Sequence, residues 1–120
     1  MIIDNQMYQI TLIEEIDSPA LLVFPEIIEQ NLINAMEITN KKNVNALRPH
    51  VKTVKCEEPV KLCMSLGIDK YKCSTIAEAE MLGMVGAKDA LMSYQLSRTK
   101  ASRFKILKEK YTNTNYSSLV

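Results

Sequence analysis

Arg48-Pro49-His50-Val51-Lys52-Thr53-Val54-Lys55 is the stretch on which the reading of this chain turns. Proline fixes its own φ and pushes the residue before it, here Arg48, into extended geometry. The segment follows the β-prone residues Val44, Ala46 and Leu47 and precedes a helix-like run over residues 57–66. It therefore reads as the end of a strand over residues 44–51, carrying a short, stiff, polar tip. Alternation along a strand puts Arg48, His50 and Lys52 on one face and Pro49 and Val51 on the other. A lysine at such a tip is held by rigid scaffold. Beside a histidine and under partial burial its ammonium would give up its proton more readily, and only the neutral amine attacks a carbonyl. Most strand-end lysines are solvated charges, so this segment by itself leaves both readings open.

Working outward, strands and helices alternate. Upstream, residues 20–24 form a short apolar run that reads as a strand, and Tyr8 to Leu12 alternate in the same sense. Pro25 suits the first helical position, where a missing N–H costs nothing. After it Ile27, Ile28, Leu32, Ala35, Met36 and Ile38 recur at spacings near three and four, one face of a helix. Asn40-Lys41-Lys42-Asn43 ends that helix with polar groups and cations. Downstream, Pro59 opens a helix with the stripe Val60, Leu62, Cys63 and Leu66, and Gly67 is its C′ residue. Residues 71–74 make a short strand. Thr75 and Glu78 make a capping box for the helix that holds Ala77, Ala79, Met81, Leu82 and Val85, and Gly86 stops it. Residues 90–96 are the next strand. Ser97 or Thr99 caps a helix over residues 100–111, with Phe104, Ile106 and Leu107 as its apolar side, and residues 117–120 begin another strand.

This alternation implies βαβ units, parallel pairing and right-handed crossovers, an α/β fold. The order suits a (β/α) barrel, but a whole barrel takes about 250 residues, so 120 residues hold about three barrel units. The expectation is a partial barrel that stops midway, exposing a parallel edge and an apolar interior. Two such halves covering each other in a homodimer would be one remedy.

Composition excludes several function classes. Net charge is +1, the lysines are dispersed and the aromatics few, which argues against nucleic acid as a partner. No apolar run reaches the roughly 20 residues that span a bilayer, and the first residues lack a basic start followed by an apolar core, so the expected place is the cytoplasm. The three cysteines, Cys56, Cys63 and Cys73, form no Cys-x-x-Cys pair and there is one histidine, so no metal site is expected and the cysteines read as free thiols.

The motifs also carry a resemblance. Asp17-Ser18-Pro19-Ala20-Leu21-Leu22-Val23, then Asn31, then Leu47-Arg48-Pro49-His50-Val51-Lys52-Thr53, then Ser74-Thr75-Ile76-Ala77-Glu78-Ala79-Glu80, then Tyr94 occur in order and at sensible spacing. Together they resemble the N-terminal part of the D-threonine aldolase and D-serine dehydratase family. Those are pyridoxal-phosphate enzymes built on the alanine-racemase type of (β/α) TIM-type barrel. The resemblance implies an N-terminal extension over residues 1–16 and a partial cofactor-binding barrel over residues 17–120, with the strand at 20–24 preceding the barrel proper.

By that resemblance Lys52 holds pyridoxal phosphate as an imine, at the C-terminal end of a barrel strand where such sites gather. Arg48, His50 and Tyr94 are the remaining cofactor-side residues. On sequence alone a lone histidine such as His50 is more often structural, and Thr75 with Glu78 reads first as helix capping. The sequence departs from the family pattern at Gln95, where proline is common, and at Val54, where histidine is common. A phosphate cradle needs backbone N–H groups after a glycine-rich turn, and Gly67, Gly83 and Gly86 offer none. In the family that cradle, the divalent-metal ligands and the second domain come later in the chain. The implied activity is cleavage or dehydration of a D-3-hydroxyamino acid, with this chain alone expected to be inactive or nearly so. Two alternatives stand beside it: a non-catalytic remnant acting as an oligomeric or binding module, and a racemase or cofactor carrier of the same barrel type, against which Arg48-Pro49-His50 argues.

Overall fold

The computed structural model describes residue 8 and residues 10–39 and 46–120. Within them lie α1 (Pro25–Ile38), α2 (Glu57–Ser65), β1 (Lys70–Cys73), α3 (Ile76–Met84), β2 (Asp89–Gln95), α4 (Arg98–Lys110) and β3 (Asn115–Leu119). The strands form one parallel sheet in the order β1-β2-β3, with Tyr71 opposite Ala90 and Ala90 opposite Tyr116. A register shift between Met92 and Gln95 loosens the end of the β2–β3 ladder. The α/β class and the parallel pairing expected of the sequence are present.

Each strand buries alternate residues. Tyr71, Cys73, Ala90, Met92 and Tyr116 are buried, whereas Lys72, Leu91, Ser93 and Ser117 on the other parity are not. The helices cover the buried parity. The Tyr71 hydroxyl reaches the carbonyls of Ile68 at 2.5 Å and Val60 of α2 at 3.4 Å. The Tyr116 hydroxyl donates to Ala79 of α3 at 2.9 Å, and its ring meets Phe104 of α4 edge-on at 5.3 Å. So α2, α3 and α4 lie on one face. Crossovers of one hand that step in one direction along the sheet produce this arrangement. Cys63 and Cys73 belong to the covered side; burial raises both thiols, Cys73 to about 12, and keeps them as inert free thiols.

Local sequence explains the connections. α2 ends in a Schellman motif: Gly67 N–H donates to Met64 O at 2.9 Å and Ile68 N–H to Cys63 O at 3.1 Å, with Gly67 at φ 89°. α3 repeats the device with Gly86 at φ 78° and Ala87 N–H on Leu82 O at 3.0 Å. In both, the residue after the glycine (Ile68, Ala87) is wholly buried and turns the chain into the next strand. Thr75 Oγ1 accepts from Glu78 N at 3.1 Å, as a cap should, but the Glu78 carboxylate takes the Ser74 N–H at 2.7 Å, one residue earlier than a capping box places it. Ser97 is the residue that caps α4. α4 and β3 begin two residues earlier than the sequence suggests.

Three expected strands are corrected. Residues 20–24 form no ladder, and Leu21, Leu22 and Val23 are exposed. An apolar run without a neighbour to bond is not a strand. The strand expected over residues 44–51 has its first two positions outside the described residues. The rest contributes one parallel bridge, His50 to Lys72, and the bond from Lys72 N–H to Pro49 O at 2.8 Å. Pro49 has no N–H to give to a ladder, which confines this segment to a short edge contact. Residues 10–12 form no strand either, and residue 9 lies outside the described set.

Candidate functional site

The polar tip after Pro49 sits at the C-terminal rim of the sheet, and a single imidazole organises it. His50 ends the extended segment, and the chain then folds into a 3-10 turn over Val51–Thr53. His50 Nδ1 accepts the Lys52 N–H at 3.2 Å, so the side chain N-caps that turn. An accepting Nδ1 leaves the ring proton on Nε2. Nε2 lies 3.0 Å from Ser74 Oγ and 3.5 Å from Ser93 Oγ. The Ser93 hydroxyl spends its own proton on Cys73 O at 2.9 Å, so its oxygen is free to accept. One ring thus joins the edge segment, the residue after β1, and β2. Burial first, then the charges of Lys52 and Lys72, hold the His50 pKa below its ordinary value, with Glu78 pulling the other way.

Lys52 is exposed, and its ammonium makes no hydrogen bond or ion pair with the described residues. The partial burial expected around it is absent there, and it does not continue the alternation of Arg48 and His50. The physical cause is the turn: once His50 caps Lys52 N–H, the backbone is helical at residue 52 and the side chain leaves the strand's alternation.

Arg48 lies lower in the sheet. Its guanidinium donates to Asp89 Oδ1 at 2.5 Å and to Tyr71 O at 3.1 Å, and Asp89 also accepts from Asn115 Nδ2 at 3.4 Å. Asp89 is the first residue of β2, so this pair ties the strand starts together, away from the Lys52 turn. In parallel α/β folds that end of the sheet serves stability. Tyr94, near the end of β2, is 57% exposed and hydrogen-bonds to none of the described residues. The structure therefore brings His50 and the Lys52 turn together and leaves Arg48 and Tyr94 apart from them. Ser74, Ser93 and Lys72 are the partners that sequence reasoning passed over. The in-out alternation of β2, which places Ser93 on the face that His50 reaches, was the available signal.

The turn closes on Lys55 at φ 49°, a left-handed conformation that costs a non-glycine residue about 1 kcal/mol. Its Nζ is 3.7 Å from Glu78 Oε1. Lys55, Cys56, Glu58, Thr75, Glu78 and Met81 line a groove of about 530 Å³ between this turn and α3. Cys56 donates its thiol proton to Glu58 Oε2 at 2.7 Å, which raises the thiol and lowers the carboxyl. His50, Lys52 and Tyr94 do not line that groove. His50 instead borders a smaller apolar cavity of about 160 Å³ with Ile28, Leu32, Pro59 and Tyr71.

Anions find little welcome at the helix starts nearest the tip. Glu57 and Glu58 occupy the first turn of α2, and Glu78 that of α3. Among the described residues there is no cluster of three or more His, Cys, Asp or Glu that could hold a metal ion, and no helix long and apolar enough to cross a membrane. Comparison with protein-family models, with curated proteins and with solved structures returns no match.

Proposed function

We propose that this chain is the N-terminal, partial-barrel portion of a pyridoxal-phosphate-dependent lyase acting on D-3-hydroxyamino acids, with Lys52 as the lysine that holds the cofactor. The observation that carries the reading is the placement of Lys52. It lies one turn beyond the C-terminal end of a segment bridged to a sheet that carries α2, α3 and α4 on one face. Sheets wound in that single sense close into barrels, and barrel chemistry gathers at that rim. The ordered motifs around Arg48-Pro49-His50-Val51-Lys52-Thr53 supply the choice of family.

The residues fit the cofactor at one end only. Lys52 is free to meet an aldehyde, and His50, Ser74 and Ser93 give a fixed polar wall beside its turn. The phosphate end has no cradle among the described residues. Bound pyridoxal phosphate supplies an electron sink for bonds broken at a substrate α-carbon. What the chain itself supplies is a lysine on a capped turn. Retro-aldol cleavage and dehydration are both compatible with that, and a complete chain turning over D-threonine or D-serine would separate them.

Trapping tests the reading. The purified chain is mixed with pyridoxal phosphate, reduced with borohydride and mapped by mass spectrometry. One adduct per chain at Lys52, absent in Lys52→Ala, is the expected result. No visible band, or labels scattered over many lysines, would sink it. A second reading has an observation of its own: the exposure of Lys52 and the acidic helix starts beside it favour a non-catalytic binding module.

A further inference from the structure

We infer that His50 is a pH-sensitive positioning residue: as a neutral imidazole it holds the Lys52 turn against the rim of the sheet, and as an imidazolium it lets that turn go. The inference rests on the proposed role of Lys52 for its functional meaning; its geometry stands apart from that role.

The argument starts from the two ring nitrogens. Nδ1 is an acceptor, because the group facing it is the Lys52 N–H at 3.2 Å. Nε2 is the donor, and its partners are Ser74 Oγ at 3.0 Å and Ser93 Oγ at 3.5 Å. Protonation adds a hydrogen to Nδ1. Two donors then face each other, and the cap on the turn is lost. The serine contacts survive, since Nε2 keeps its proton. The imidazolium therefore stays anchored to β1 and β2, and Val51, at the start of the turn, stays buried in the core, while the Lys52 end of the turn loses its cap and is released.

The charges around the ring set the direction of the device. Lys52 on the turn and Lys72 on β1 oppose a positive ring, as does burial. Glu78 on α3 favours it, but that carboxylate already accepts the Ser74 N–H at 2.7 Å and lies 3.7 Å from the Lys55 ammonium. Arg48 is neutralised by Asp89 at the far end of the strands. Release accordingly lies on the acid side of an ordinary histidine. The linkage has the same sign. With the folded pKa lowered from 6.5, the unfolded chain binds the proton more readily. The stability this group contributes is complete above 6.5, starts to fall there, and is lost as pH drops through the lowered value.

The test follows the ring and the amide in one titration. The ¹⁵N-labelled chain is taken from about pH 8 to about pH 4.5 by NMR, reading the His50 ring nitrogens and the Lys52 amide. The inference expects the Nε2–H tautomer at neutral pH and a Lys52 amide that shifts, and loses its exchange protection, with the midpoint of the ring. In His50→Asn the side-chain oxygen can accept the N–H two residues on, as in an Asx turn. There the Lys52 amide should keep its neutral-pH position throughout. His50→Leu, with no acceptor, should show the acid-form position at every pH. An Nδ1–H tautomer, or a Lys52 amide that ignores the ring, would overturn the inference in the unsubstituted chain alone. Cofactor trapping on the same sample separates the two claims. Coupling without trapping overturns the role of Lys52 and leaves the device standing, whereas trapping without coupling overturns only the device.

Discussion

Two regions of this chain are equally apolar to the eye and fold to very different effect. From α2 to β3, side chains such as Ile68, Tyr71, Ala79, Leu82 and Ala90 are wholly buried. Across residues 10–39 no side chain is buried, although Leu21, Leu22, Val23, Ile27, Ile28 and Leu32 lie among them. The difference is the presence of an opposing surface. Apolar area is worth about 25 cal/mol per Å² only when something removes it from water. The sheet gives α2, α3 and α4 a common face to cover, whereas α1, among the described residues, meets α2 and the edge segment near Pro49 and keeps its stripe half-exposed. The Lys52 turn joins the two regions. It has a rigid rim on one side and a lightly packed helix on the other; buried Val51 and the His50 ring fix it to the rigid side.

The largest effect should come from opening the packed region. Leu82→Ala removes a side chain that is wholly buried between α3 and the sheet, and such truncations cost about 3 kcal/mol. Urea denaturation read by circular dichroism would show a lower midpoint with an unchanged slope. A loss under about 1 kcal/mol would mean that the packed region has room to collapse and that the contrast with α1 is overstated.

A smaller effect should come from filling space on the same helix. Alanine in place of a helical glycine normally gains about 1 kcal/mol. At Gly83 a Cβ would stand 2.6 Å from Cγ and 2.7 Å from Cδ2 of the Tyr111 ring, and closer still to the Tyr116 hydroxyl. Tyr116 is fixed by its bond to Ala79 and by Phe104, so it has little room to yield. Overpacking of this kind costs about 1–3 kcal/mol and outweighs the helical gain. Gly83→Ala should therefore destabilise by about 1 kcal/mol net, measured in the same denaturation experiment. A stabilised Gly83→Ala would show that the aromatic pair moves freely.

How much of this was legible follows from how local each signal is. The two glycine stops, the Pro25 start of α1 and the Thr75 cap are decided within a few residues, and the sequence carries them openly. β1 to β3 were recoverable because short apolar runs between helices have few other fates in an α/β chain. Residues 20–24 read as a strand for the same reason and are not one, because a ladder needs a neighbour and sequence does not say where the neighbour is. The site was half legible. His50 and Lys52 stood out by residue type. The Nδ1 cap, which turns the chain after His50 and takes Lys52 off the strand, depends on a ring rotamer and on hydroxyls 24 and 43 residues downstream. Arg48 stands out in the same motif, but its salt bridge to Asp89 spans 41 residues and ties it to the strand starts.

The smallest effect should come from the lightly packed region, and its smallness is what makes it informative. Ile38 is the last residue of α1 and is 86% exposed. Truncation to alanine removes almost no buried area, and alanine is the better helix former by a few tenths of a kcal/mol. The two terms nearly cancel, so Ile38→Ala should leave the midpoint within about 0.5 kcal/mol of the parent. Set beside Leu82→Ala, the same kind of truncation would then differ about sixfold in cost between the two regions. A loss above about 1 kcal/mol at Ile38 would require a surface that covers this end of α1 in solution. The contrast would then mark an interface, and the apolar stripe of α1 would be explained by what it meets there.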